Sequence, residues 1–310
     1  MELKLHISSS PHIHTQKTTQ QIMLDVIIGL LPTTIAGIAI FGSRSLEVIV
    51  VCVATAVLGE YAFNRIIKKD QTITDLSAAL TGLLLALNLP ANVPLWQCAI
   101  GSLFAIIIVK CFFGGLGRNL VNPAIAGRVF MLVSFGSLAK AAFPTDVDAT
   151  AGATPLVQLA ENQVPNLMDL FLGKNGGAIG ETCVAALLLG GIYLVARKVI
   201  TVHIPLSFIA TVFVCSLALN DFNLEVATAY ILSGGLFIGA IFMATDYVTS
   251  PSTPKGKIVF GVGAGLITVL IREWGQYPEG VSFAILLMNI LDPYIDRLTA
   301  YKVFGGKKND

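Results

Sequence analysis

Long apolar runs alternate with short polar joints along this chain, and the runs have the length of membrane crossings. A helix needs about 20 residues to cross the hydrocarbon layer of a bilayer. Ten runs meet or approach that length: residues 22–41, 46–64, 74–89, 95–113, 121–138, 180–196, 203–219, 226–244, 257–271 and 280–296. The pattern predicts an all-α polytopic membrane protein of about ten transmembrane helices. The third and ninth runs are short and carry glycine and polar residues, the mark of segments that line protein rather than lipid. The chain then divides into an N-terminal segment (1–21), a first five-helix half (22–138), a long polar loop (139–179), a second five-helix half (180–296) and a tail (297–310).

Composition agrees with that reading. The chain is 55% hydrophobic and 13% charged, with a mean hydropathy of +0.77, whereas soluble domains carry about 25% charged residues. A net charge of +1 gives no surface for nucleic acid. The first twenty residues hold no apolar core, so no cleavable signal is expected. The five cysteines (Cys52, Cys98, Cys111, Cys183, Cys215) lie in or beside apolar runs and form no CxxC pair. They read as small buried hydrophobes, with ligation of a cluster at a subunit interface as the alternative. Four scattered histidines make no helix-spaced metal site.

Basic residues orient the spans. With the N-terminus inside, the inner joints hold fifteen lysines and arginines, among them Arg65, Lys68, Lys69, Lys110, Arg118, Arg197, Lys198, Lys255 and Lys257. The outer joints hold four: Arg44, Lys140, Lys174 and Arg272. Both termini are therefore expected in the cytoplasm, and the 139–179 loop outside. A long loop among short ones is a place to look for function.

The halves also align with each other. Asn88-Leu89-Pro90 precedes a span and then the glycine turn Gly114-Gly115; Pro254 precedes a span and then Pro278-Glu279-Gly280. Both proline-to-turn distances are 24 residues. Five spans per half would give opposite topologies, a 5+5 inverted repeat of interrupted helices, as in many transporters.

Candidate chemistry lies in the loop and in a few intramembrane polar residues. Residues 148–154 read Asp-Ala-Thr-Ala-Gly-Ala-Thr. By themselves they suit either a turn before Pro155 or an acceptor segment for a covalently attached group, with Gly152 and Ala153 small enough for close approach to Thr154. Asp25, Glu60, Arg128, Glu181, Asp246 and Asp292 are ionisable residues in apolar surroundings, which are costly and often functional. Asp246, in the polar break Thr245-Asp246-Tyr247, is the leading candidate for an ion pathway, with Asp25 and Glu60 beside it; the alternative for Asp246 is a cap, or a pair with Lys255. Asn119 and Asn122, around Pro123, are either caps or hydrogen-bonding groups for a ligand.

Three further segments are distinctive: Thr74 to Pro90 (TDLSAALTGLLLALNLP), Gly114 to Ala124 (GGLGRNLVNPA) and Phe242 to Pro251 (FMATDYVTSP). Together with the threonine loop they resemble RnfD, a membrane component of the Rnf complex, the ion-translocating ferredoxin:NAD oxidoreductase, over residues 20–296. NqrB, the related component of the sodium-pumping NADH:quinone reductase, shares these motifs but has a longer N-terminal region, so the short start favours Rnf. The resemblance implies FMN esterified through its phosphate to Thr154, with Asp148 at the acidic start of the segment read by a flavin transferase. This chain has Ala151 where the family usually has Ser or Thr. It also implies a noncovalent riboflavin within the membrane, for which Asn119 and Asn122 are the candidates. Implied too are a neighbouring FMN-bearing subunit, iron–sulfur membrane subunits, Na⁺ or H⁺ as the transported ion, and a prokaryotic inner membrane. Two other classes stay open on the residues alone: a redox-silent channel for a small solute, and a scaffold subunit without cofactor.

Overall fold

The computed structural model describes residues 18–136, 142–144, 154–161, 163–275 and 280–301. Among them all regular structure is helical, apart from one isolated antiparallel bridge between Ala142 and Gly177. The first apolar run becomes α1 (Thr19–Phe41), opened by a capping box in which Thr18 Oγ1 accepts from Gln21 N and the Gln21 side chain accepts from Thr18 N. Gly42, at φ 73°, lets the chain turn at once into α2 (Ser43–Ile67). A 3₁₀ turn (Ile73–Asp75) leads to α3 (Ser77–Leu87). The fourth run is α4 (Leu95–Leu103), continuing as a π-helical stretch from Phe104 to Cys111. α5 (Pro123–Ser134) begins on the cap Asn122, with proline at its first position, where a missing N–H costs nothing.

In the loop region lie two short helices, α6 (Pro155–Ala160) and α7 (Leu167–Leu172). The second half comprises α8 (Val184–Ala196), α9 (His203–Leu219), α10 (Leu224–Leu232), α11 (Leu236–Ile238, extended by a π-helical turn, Gly239–Met243), α12 (Pro254–Trp274) and α13 (Val281–Thr299). Three helices, α1, α2 and α12, are long and apolar enough to cross a membrane. The pair α10 and α11, bent by 63° at Ser233–Gly235, makes a fourth if taken as one span. α3, α4 with its π extension, α5, α8 and α9 are shorter apolar helices. The apolar run 226–244, which predicts one span, is thus broken, because Gly234 (φ 68°) takes a backbone shape that ordinary side chains resist.

The fold is apolar outside as well as inside. Ile35, Leu58, Ile192, Leu206 and Val214 are each more than 60% exposed on helix faces turned away from the core. Such a surface suits lipid, and the protein is a multi-pass membrane protein. α2 packs on α3 and α4, α9 on α12, and α12 on α13, while α1 packs on α8 and α5 on α13.

Helices that stop inside a membrane expose backbone groups that water cannot satisfy. Here the protein satisfies them. At the end of α3, Gly180 N donates to Leu87 O (2.7 Å) and Ile179 N to Leu89 O (3.0 Å), so the segment before α8 seals the break at Asn88-Leu89-Pro90. At the end of α10, Arg272 of α12 donates from Nη1 to Tyr230 O (2.9 Å) and from Nη2 to Ser233 O (3.0 Å).

Candidate functional site

Thr154 is the residue on which the loop segment turns. It caps α6, half-buried, and its Oγ1 accepts a long hydrogen bond from Val157 N (3.4 Å). No described residue accepts the hydroxyl proton, and a half-buried hydroxyl at a helix cap is chemically compatible with a phosphoester. Asp148, Ala151, Gly152 and Ala153 lie outside the described residues. α6 is anchored by Leu156, buried against the glycine break after α10: a methyl on Gly234 would lie 2.9 Å from Leu156 Cδ1.

A second group of polar residues sits where the two halves meet. Asn122 accepts from Ala124 N and Ile125 N at the start of α5, donates from Nδ2 to Met243 O (3.2 Å), and donates its own N–H to Asn289 Oδ1 (3.2 Å). Asn289, on α13, passes the link to Thr249 O (2.8 Å). Arg128 donates to Asn88 Oδ1 (2.6 Å), and Asn88 donates to Leu84 O (2.7 Å). Glu181 Oε1 accepts from Ala178 N (2.8 Å), and its Oε2 is buried without a hydrogen-bond partner among the described residues. Arg128 Nη1 and Glu181 Oε2 flank the same residue, Gly235. Asn119 donates to Val121 O (3.0 Å).

Asn122 also lines a small cavity with Asp246, Thr245, Leu84, Phe242 and Leu194. Its volume is about 60 Å³. A water occupies about 10–15 Å³ on that measure, and ligand pockets run to about 300–1,000 Å³. The space suits a few waters or a hydrated cation; a tricyclic flavin ring does not fit it without movement of the walls. Asp246, half-buried, accepts from Thr249 Oγ1 (3.0 Å). The neighbouring Tyr247 hydroxyl donates to Val199 O.

Asp25 and Glu60, the other two pathway candidates, occupy separate polar clusters. Asp25 accepts from Tyr193 Oη (2.9 Å) and pairs with Arg197 (3.4 Å), beside an open recess of about 500 Å³ between α1 and α8. Glu60 is 2% exposed and pairs with Lys110 Nζ at 2.8 Å. Lys110 also donates to Ser77 Oγ (2.6 Å), Glu60 accepts from Thr72 Oγ1 (2.5 Å), and Ser77 donates to Asp75 Oδ1. The charge pattern puts Lys110 in an inner joint; it lies instead within the π-helical stretch, fully buried, and leaves the tally of loop charges. π-Helical turns are common at functional positions because they rotate a side chain out of the ordinary register.

The comparisons with known proteins decide the family. The model of the NQR2, RnfD, RnfE family matches residues 6–305. The chain belongs to the NQR2, RnfD, RnfE family. Its relatives include the D-subunit of the Na⁺-translocating ferredoxin:NAD⁺ oxidoreductase complex of Acetobacterium woodii, 44% identical over 99% of this chain and 97% of that one. The proton-translocating counterpart of Clostridium ljungdahlii is 42% identical over 97% and 96%. The D-subunit of the ion-translocating oxidoreductase complex of Escherichia coli is 35% identical over 97% and 99%. The resemblance to RnfD read from the motifs therefore holds over nearly the whole chain.

Several polar contacts in this member of the NQR2, RnfD, RnfE family escape sequence reasoning. Lys110 meets Glu60 across 50 residues, and Asn122 meets Asn289 across 167. Tyr230 and Arg272, 42 residues apart, come together beside α6, with the guanidinium 5.0 Å from the ring centre. The only signal in the sequence is the cost of burying each such group, which says that a partner exists and not which one.

Proposed function

We propose that this chain is the membrane electron-transfer subunit of an ion-translocating ferredoxin:NAD oxidoreductase complex, carrying FMN as a phosphoester on Thr154. The observation that carries the proposal is the match to D-subunits of such complexes at 35–44% identity over nearly full length. The half-buried Thr154 hydroxyl, with its proton uncommitted among the described residues, supports the attachment point. Bound there, FMN supplies one- and two-electron chemistry. The chain's own part is to fix the flavin at one place, surround it with low dielectric and keep water away from the path. Asp148, Gly152 and Ala153 give the flavin transferase its recognition segment. Electrons arrive from a neighbouring FMN-bearing subunit and are exchanged with iron–sulfur membrane subunits.

On this reading the shorter apolar helices and α13 complete ten spans in a 5+5 inverted repeat. The contacts of α1 with α8 and of α5 with α13 fall between members that such a repeat makes equivalent, which supports the reading. Both termini face the cytoplasm of a prokaryotic inner membrane and the Thr154 loop faces outward. Asp246 is the carboxylate that a moving cation meets first, in the small cavity it shares with Asn122; Asp25 and Glu60 border the pathway. The relatives' names split between Na⁺ and H⁺, so the ion is a property of individual members. Noncovalent riboflavin near Asn119 and Asn122 requires the walls of that cavity to open.

The test is intact-mass and peptide analysis of the chain expressed with a flavin transferase. An FMN adduct on the peptide containing Thr154 is expected, and none on Thr154→Ala. Flavin fluorescence that survives denaturing electrophoresis in Thr154→Ala sinks the attachment site. A colourless wild-type chain favours a redox-silent channel instead.

A further inference from the structure

α6 has a cavity on either side. One, of about 200 Å³, is lined by Pro155, Gln158, Lys174 and Asn175. The other, of about 510 Å³, lies between α6 and the ends of α10 and α12. Only the second falls within the range of small-molecule sites, about 300–1,000 Å³. Its walls mix two kinds of surface: Leu156, Leu159 and Val226 are apolar, while Tyr230, Arg272 and Asn220 bring polar groups. Tyr230 is 6% exposed. Neither its Oη nor Arg272 Nε makes a well-aligned hydrogen bond to a described residue, although the Glu273 carboxylate and the Arg272 guanidinium both lie beside the Tyr230 hydroxyl. Arg272 is held in place all the same by its two bonds to Tyr230 O and Ser233 O. It is the one cation among the described lining residues, against Glu161 and Glu273.

We propose that this cavity is the dock for the isoalloxazine ring tethered at Thr154, with Arg272 and Tyr230 at the ring's pyrimidine edge. The inference rests on the attachment of FMN to Thr154. An isoalloxazine ring is apolar at its dimethylbenzene end and carries two carbonyls at the other, and the cavity offers both apolar side chains and hydrogen-bond donors. Buried donors without partners carry a desolvation cost that a carbonyl acceptor removes. Reach is sufficient. Leu156 and Val157 are two and three residues from Thr154, about 3–5 Å along α6. The ribityl phosphate arm spans about eight bonds, or about 9 Å at the advance of an extended chain. A ring that has taken up two electrons and one proton bears one negative charge, and the fixed guanidinium favours that form over the neutral oxidised ring.

The experiment uses the full-length chain, flavinylated in the cell, with the adduct on Thr154 confirmed by mass for each variant. The readouts are the midpoint potential of the flavin and its fluorescence anisotropy. Arg272→Gln is expected to lower the preference for the reduced ring at least tenfold, a fall of about 30 mV for a two-electron couple. Arg272→Lys retains the charge and recovers most of that fall, which a merely structural role does not predict. Val226→Trp fills the cavity, frees the ring and lowers the anisotropy; it carries the test should Arg272→Gln fail to fold. An adduct on Thr154 with potential and anisotropy unchanged in these variants overturns the dock alone. So does a shift seen with Lys174→Gln instead, which moves the ring to the smaller cavity. Absence of any adduct from the wild-type chain overturns the attachment and the dock together.

Discussion

Lys110 places an ammonium among packed helices at 2% exposure, held by Glu60 Oε2 and Ser77 Oγ. Removing one member of a buried pair leaves the other charge uncompensated, at a cost of about 3–5 kcal/mol. Lys110→Met is therefore expected to lower thermal stability in detergent sharply, and Lys110→Met combined with Glu60→Gln to recover much of the loss. A single variant as stable as wild type would mean that water reaches Glu60. No local pattern foretells this pair, since a lysine near a span's end more often reaches toward water. Asp246 is legible in the sequence, because a carboxylate in a polar break stands out against its apolar flanks. Its isosteric change, Asp246→Asn, keeps the hydrogen bond from Thr249 while removing the charge. We predict that Asp246→Asn retains the covalent flavin and its reduction, but loses most ion transport in proteoliposomes; transport at the wild-type rate would remove Asp246 from the pathway.

At the scale of elements, close helix contacts depend on small residues, as in membrane bundles generally. The crossing of α1 and α8 is the tightest contact with backbone: a methyl on Gly190 would fall inside the contact distance of Gly29 O. The clash is with backbone, which cannot rotate away, so Gly190→Ala must push the helices apart. Overpacking of this kind costs about 1–3 kcal/mol. A lower melting temperature is expected for Gly190→Ala. Gly136→Ala, which meets nothing within 4 Å, serves as a control and should melt like wild type. Element positions are readable because hydropathy reports burial in lipid directly. Glycine and polar residues mark the third and ninth runs as short, and α3 is indeed an eleven-residue helix. The ninth run, however, is part of α12, 21 residues long and apolar enough to cross a membrane, because its glycines sit within an unbroken helix. The bend after α10 is hidden inside one apolar run; Gly234, with its positive φ, lies against Leu156 and Arg272, both remote in sequence. The π-helical stretches are equally hidden; they answer to contacts with other helices.

For the whole molecule, the polar centre and the charge distribution point to one arrangement. The Asn122–Asn289 bond joins the capped start of α5 to the middle of α13, and from there to the backbone at Thr249, just after Thr245-Asp246-Tyr247. The α6 region and the Asp246 cavity lie toward opposite ends of α8. Segment 178–182 leads into its first residues, whereas Leu194, Val199 and Ile200 at its far end line the cavity. Thirteen helical residues separate these ends, about 20 Å. On the proposed function, an electron entering at α6 and a cation entering at Asp246 would thus start from opposite ends of α8. The proposed sidedness rests on lysine and arginine counts, and the bias survives the burial of Lys110 because that residue is one of fifteen. It can be tested without any cofactor. In a chain with the half-buried Cys183 and Cys215 changed to serine, the thiol of Lys174→Cys, at an exposed position, should react with a membrane-impermeant maleimide in intact cells. That of Lys255→Cys, exposed at the start of α12, should react only after permeabilisation. The reverse pattern would invert the protein in its membrane and put the Thr154 loop in the cytoplasm, and labelling of both from one side would break the even span count on which the inverted repeat rests.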